Sequence, residues 1–184
     1  MMTINTPKYL VIDLFCGAGG TSTGFHMTNG LAKVIGCVNH DPLAIESHWK
    51  NYPDVKHYEE DIRTLDLSHL RQLIINARRM YPDALVILWA SLECTNFSKA
   101  KGGMPRDADS RTLAEHLFRY IDAIDPDYIQ IENVVEFMAW GPLGENGRPI
   151  SNLSGTDYER WKENIKAIGY KYDRDTLNAA DFAA

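Results

Sequence analysis

The sequence predicts an α/β domain, a mostly parallel sheet with helices on both faces. Three observations carry this. Short apolar runs alternate with stretches of helical periodicity. A glycine-rich turn, Gly17-Ala18-Gly19-Gly20, follows the first apolar run at once. Polar residues then gather where each strand-like run stops, the position at which open α/β sheets bind ligands.

The elements follow in order. Tyr9–Leu14 reads as the first strand, and Thr21–Asn29 as a helix stopped by Gly30. Lys33–Asn39 is the second strand; a helix over Leu43–Asn51 follows Asp41-Pro42 and ends before Pro53. A short strand at Val55–Tyr58 leads to Glu60-Asp61-Ile62-Arg63. Helix Ser68–Arg79 carries Leu70, Leu73, Ile74 and Ala77 on one face, with Ser68 as candidate cap. Ala84–Trp89 is a continuous apolar run, as a central parallel strand requires. Helix Arg111–Ile124 breaks at Asp125-Pro126, and Tyr128–Ile131 is the fifth strand. A glycine- and proline-rich loop over Trp140–Gly155 precedes a helix at Tyr158–Ile168 and a last strand at Tyr172–Leu177.

A length of 184 residues indicates one domain, and 45% apolar residues can fill a sizeable core. No apolar run approaches the roughly 20 residues that span a bilayer, and the N-terminus lacks a signal-peptide core. Cys16, Cys37 and Cys94 show no zinc-type spacing, so reduced thiols in a cytoplasmic protein are expected and no metal is implied. The net charge of −6 is unlike that of a domain gripping a phosphate backbone. One local exception is the basic loop Lys99–Arg106, which by itself reads as solvated surface.

The segment Asp13-Leu14-Phe15-Cys16-Gly17-Ala18-Gly19-Gly20 is a strand-to-helix turn whose glycines let backbone approach a ligand. A helix beginning near Thr21 aims free N–H groups at that ligand. It is not the dinucleotide fingerprint, because Ser22 stands where the last glycine belongs. It is not a P-loop either, because Gly24 is followed by Phe25-His26. Cys94, in the loop after the fourth strand, is either a buried small hydrophobe or a nucleophile on spacing alone.

The glycine turn resembles motif I of the cytosine carbon-5 methyltransferases. Ala90-Ser91-Leu92-Glu93-Cys94-Thr95-Asn96-Phe97-Ser98 resembles motif IV, although Leu92, Glu93 and Thr95 depart from its usual prolines and glutamine. Glu132-Asn133-Val134 resembles motif VI, Asp61-Ile62 motif III, and Asp109-Ser110-Arg111-Thr112-Leu113 motif V. Asn39-His40-Asp41-Pro42 stands where motif II usually has a glutamate, and Asp41 is a substitute for that charge.

The resemblance implies a Rossmann-like S-adenosylmethionine-dependent methyltransferase fold and methyl transfer to carbon 5 of a cytosine flipped out of double-stranded DNA. The cofactor would meet Phe15, Cys16, Gly17, Ala18, Gly19, Gly20, Asn39, His40, Asp61, Ile62 and Leu113. Cys94 and Glu132 would be catalytic, and Ser98 and Asn133 would face the base. Residues 1–184 would be a partial catalytic domain reaching from motif I through motif VI to the lead-in of motif VIII. The target-recognition region and later motifs would be absent, so the fragment is expected to be inactive or nearly so alone. A transfer-RNA cytosine-5 methyltransferase and a non-catalytic cofactor-binding or interaction fragment are the other two readings. The strand that normally follows Phe182 would also be missing, leaving an unpaired edge that displaces the C-terminus or pairs two copies.

Overall fold

The computed structural model describes residues 6–92, 113–142 and 155–182. They form two compact units.

The first unit holds a five-stranded, all-parallel sheet in the order β3-β2-β1-β4-β5. Its strands are β1 (Tyr9–Leu14), β2 (Ala32–Asn39), β3 (Lys56–Glu59), β4 (Leu85–Ser91) and β5 (Tyr128–Glu132). The helices are α1 (Gly20–His26), α2 (Pro42–Asn51), α3 (Ser68–Met80) and α4 (Leu113–Ile124). β1 lies at the centre, and Leu10, Val11, Ile12 and Leu14 are fully buried. That burial is why this run contains no charge except Asp13.

Where helices touch the sheet, size is set residue by residue. A Cβ on Gly36 would stand 3.0 Å from Leu73 Cδ2 and 3.1 Å from Ile12 Cδ1, so its lack lets α3 close on β2. α4 buries Leu113, Leu117, Tyr120, Ile121 and Ile124, positions recurring at helical spacing. Its Arg119 and Tyr120 grip the loop after β3. The Arg119 guanidinium donates to the carbonyls of Ile62 (3.2 Å), Arg63 and Leu65 (2.6 Å), and the Tyr120 hydroxyl donates to Ile62 O at 3.0 Å.

Three expectations are corrected. Ser68 does not cap α3: Leu67 holds that place with no side-chain bond, and the Ser68 N–H and hydroxyl both donate to Asp66 at 2.9 Å. Asp66 thus forms a local turn that satisfies the entering chain instead. Tyr172–Leu177 is not a strand. A strand exists only through a neighbour that completes its ladder, and no described residue supplies one. The α1 helix also stops three residues early, because the Thr28 hydroxyl donates to Phe25 O and accepts from Ala32 N, turning the chain.

The second unit contains a 3-10 turn at Val135–Ala139, helix α5 (Thr156–Ala167) and a second 3-10 turn at Ala179–Asp181. Its core is aromatic: Phe137 packs on Trp140, Tyr158 and Trp161 with ring centroids 5.5–5.7 Å apart. The Tyr172 hydroxyl bonds that of Tyr158. No helix among the described residues is long and apolar enough to cross a membrane.

Candidate functional site

The polar residues singled out in the sequence stand at carboxyl ends of the parallel strands. β1 ends in the turn Phe15–Gly19, β2 in Asn39, β3 in the Glu60-Asp61 loop, β4 in Ser91 and β5 in Glu132. Register places them side by side: Leu14 lies beside Val38 and Ala90, Asn39 beside Glu59, and Ser91 beside Glu132.

The β1 turn is wound through the left-handed region. Phe15 (φ 60°), Gly17 (φ 51°) and Gly19 (φ 104°) all have positive φ. Phe15 is the unexpected member, since nothing in a phenylalanine announces that conformation. Cys16 N–H donates to Val38 O at 3.2 Å and Gly19 N–H to Cys16 O at 3.1 Å, fixing the turn to β2 and to itself. Around Gly17 and Gly20 nothing lies within 4 Å of where a Cβ would stand, whereas at Gly19 it would press on Tyr52 and His48. Ala18 and Gly20 are exposed and Cys16 is buried, so the turn offers main chain outward and a thiol inward.

Beneath it runs a buried polar chain. Ser22 Oγ donates to Asp13 Oδ2 (3.3 Å) and lies 2.9 Å from His48 Nε2, while His48 Nδ1 lies 2.8 Å from His57 Nε2. Burial pushes Asp13 up to about 7 against the pull of the Ser22 hydrogen bond, and its Oδ1 has no partner among the described residues. Burial, then the neighbouring His57, holds the His48 ring down to about 4, so it is neutral.

At the next strand end, Asn39 Oδ1 accepts from Asp41 N (2.9 Å), and Asp41 Oδ1 accepts from Leu43 N (2.8 Å) and Ala44 N (3.4 Å). Asp41 is therefore the cap of α2, with Pro42 in the first turn. His40 between them is exposed. Asp61 is held by its second neighbour: Arg63 donates from N (2.8 Å), Nε (2.9 Å) and Nη2 (2.5 Å). These bonds hold Asp61 down to about 2, so it is ionised at neutral pH. Ile62 is buried beside it and Leu113 is buried at the start of α4.

The sign of the Asp61 effect can be tested. Its folded value lies below the ordinary 3.8, so its stabilisation is present above that value and fades as pH falls from there through about 2. Asp61→Asn is expected to flatten that acid limb in melting curves taken from pH 5 to pH 2. An unchanged limb would show that the Arg63 pairing contributes nothing.

Glu132 is exposed at the end of β5, and its carbonyl accepts from Leu92 N at 3.3 Å. Asn133, which begins the second unit, accepts from Val134 N at 2.8 Å through Oδ1, and its buried Nδ2 has no partner among the described residues. Cys94 and Ser98 lie outside the described residues, as does the basic loop Lys99–Arg106. Sequence reasoning missed Arg63 and Arg119. The spacing Asp61-x-Arg63 is a signal that could have found the first; Arg119 meets its loop more than fifty residues away and leaves no local sign.

Comparison with known proteins bears on the fold and the family. The chain is 27% identical over 172 residues to the type II methyltransferase M.AgeI of Thalassovita gelatinovora, covering 93% of this chain and 35% of that protein. It is 30% identical over 184 residues to M1.HphI of Haemophilus parahaemolyticus, covering 95% and 44%. The chain thus spans about a third to less than half of these relatives' lengths. Among solved structures, it superposes on Spodoptera frugiperda DNMT2 with a TM-score of 0.57 at 16% identity, covering 86% of this chain and 40% of that one. A candidate DNA modification methyltransferase encoded within a prophage (E. coli) gives 0.59 at 22% identity, covering 88% and 37%. These likenesses establish a Rossmann-like methyltransferase fold. The model of the family described as C-5 cytosine-specific DNA methylase matches residues 9–184, from the first strand through every site residue named above, and the chain belongs to that family.

Proposed function

We propose that the protein is a DNA cytosine-5 methyltransferase using S-adenosylmethionine, and that this chain is the portion of its catalytic domain bearing the cofactor turn and the nucleophile. The observation that carries the reading is the family match over residues 9–184, falling on a sheet whose strand ends present the glycine turn, Asp61 and Glu132 together. A cytoplasmic protein acting on double-stranded DNA follows from it.

The residues present fit the cofactor. The turn from Phe15 to Gly20 exposes main chain, with open space over Gly17 and Gly20. Asn39, His40 and Asp41 would meet the ribose, the ionised Asp61 would meet an adenine amino group, and Ile62 and Leu113 would add apolar wall. When bound, S-adenosylmethionine supplies an electrophilic methyl group.

The chain's own residues prepare the base. The target cytosine must leave the stack for either ring face to be reached. The Cys94 thiolate adds to carbon 6, and the displaced electron pair makes carbon 5 nucleophilic. Glu132 hydrogen-bonds ring nitrogen 3 and favours its protonation, which eases that addition. Asn133 orders the adjoining loop and Ser98 faces the base. Once carbon 5 carries the methyl group, loss of its proton expels Cys94 and restores the ring.

Pairing of two copies through the exposed edge of β5, where Tyr128 is half exposed, belongs to the same proposal.

The test is calorimetric titration of the chain with S-adenosylmethionine. Wild type is expected to bind, and Asp61→Ala to bind about tenfold more weakly, the loss of roughly 1.4 kcal/mol that one charged hydrogen bond contributes. Absence of binding by the wild type, or full binding by Asp61→Ala, would overturn the assignment of this site.

A further inference from the structure

The side chains under the β1 turn have a use that the cofactor does not explain. Cys16, Cys37 and His48 are all buried, and their Sγ, Sγ and ring-nitrogen atoms lie within 4.8 Å of one another. Cys37 Sγ is 3.8 Å from His48 Nδ1, and His57 Nε2 is 2.8 Å from the same nitrogen. Two sulfurs and one imidazole nitrogen thus converge from the β1 turn, β2 and α2, and the partly buried His57 ring of β3 adjoins His48.

The orientation of His48 points the same way. Its Nε2 faces Ser22 Oγ at 2.9 Å, and the Ser22 hydroxyl donates to Asp13 Oδ2 at 3.3 Å. With the serine proton committed to the carboxylate, Ser22 Oγ accepts from His48 Nε2–H. The Nδ1 lone pair then faces His57 Nε2 and Cys37 Sγ. Metal-bound histidines are usually held in this way, the outer nitrogen donating into a chain that ends in a carboxylate.

We propose that Cys16, Cys37, His48 and His57 form a closed structural site for Zn²⁺ beneath the cofactor turn. Tetrahedral zinc with ordinary bond lengths separates sulfur from nitrogen ligands by about 3.6 Å and two nitrogens by about 3.3 Å. The 3.8 Å Cys37–His48 spacing fits, and His57 needs to draw back by about half an ångström. Two thiolates and two neutral imidazoles around a divalent cation leave no net charge, which suits a buried position. Mixed sulfur and imidazole ligands select zinc over the hard cations that prefer oxygen. Binding releases the two thiol protons. The metal would tie the turn that carries the cofactor to three other elements of the sheet. The proposal concerns the fold and stands apart from the cofactor reading.

The experiment uses the reduced full chain carrying Cys94→Ser, so that only Cys16 and Cys37 remain. After treatment with chelator it is titrated with Co²⁺ as a spectroscopic probe, then with Zn²⁺. The expected result is one equivalent bound, a thiolate-to-cobalt charge-transfer band, the visible bands of a tetrahedral site, and displacement by Zn²⁺ with a raised melting temperature. Cys37→Ala, a small change checked for folding by circular dichroism, abolishes the charge-transfer pattern of a two-thiolate site. His57→Gln weakens Zn²⁺ at least tenfold. No charge-transfer band in the parent chain, or a band that survives Cys37→Ala unchanged, would overturn the site. A chain that binds cobalt but not S-adenosylmethionine would overturn the cofactor reading alone, and the converse would overturn the zinc site alone.

Discussion

In the whole protein to which this chain is proposed to belong, replacing Cys94 with serine is expected to lower methyl transfer to cytosine by at least about a thousandfold, with S-adenosylmethionine affinity changed by less than about twofold. The reason lies in the two nucleophiles. A thiol supplies usable thiolate near neutral pH, whereas a serine hydroxyl needs a strong base beside it to attack an aromatic ring carbon. The neighbours of Cys94 in sequence are Glu93 and Thr95, neither of which is a histidine or lysine that could activate a hydroxyl. The measurement is transfer of labelled methyl to DNA beside a binding titration. A serine variant retaining a tenth or more of the wild-type rate would remove Cys94 from the chemistry.

Gly19→Val is expected to abolish S-adenosylmethionine binding, a loss of at least a hundredfold. Gly19 sits at φ 104°, where β-branched residues are strongly disfavoured, and costs of about 1–2 kcal/mol attend even simpler side chains. Its Cβ would also stand 3.1 Å from Tyr52 Cε2 and 3.2 Å from His48 Cδ2, tighter than ordinary contact. The turn must therefore move, and main chain that would line the proposed cofactor cannot move without weakening its binding. Gly24→Ala is the control. It lies within α1 with nothing within 4 Å of the added methyl, so it is expected to bind normally and to be stabilised by up to about 1 kcal/mol. Equal loss in both variants would mean that the turn is merely fragile; full binding by Gly19→Val would move the cofactor elsewhere.

Much of this molecule could be read from its residues because local and tertiary demands agree along β1 to β5. Leu10, Val11 and Ile12 are apolar because the central strand is buried on both faces, and the glycines follow because the chain must then turn left-handed. Asp41-Pro42 started α2 as such a pair should. What could not be read depends on partners distant in sequence. Tyr172–Leu177 follows a helix as the next strand of an α/β domain would, but pairing decides strands, and Tyr172 spends its hydroxyl on Tyr158 instead. Ser68 has the chemistry of a cap, yet Asp66 two residues earlier competes for the same turn. Likewise the convergence of Cys16, Cys37 and His48 has no spacing signature, because parallel strands bring together residues 11 to 32 positions apart.

The most direct measurement is mass spectrometry of the whole protein, not this portion alone, after incubation with S-adenosylmethionine and duplex DNA containing 5-fluorocytosine. Fluorine at carbon 5 cannot leave as a proton does, so the ring stays attached to the residue that attacked carbon 6. The expected result is a covalent protein–DNA conjugate mapping to the peptide that contains Cys94. Methylation of ordinary cytosine without such a conjugate, or a conjugate at Cys16 or Cys37, would contradict the mechanism.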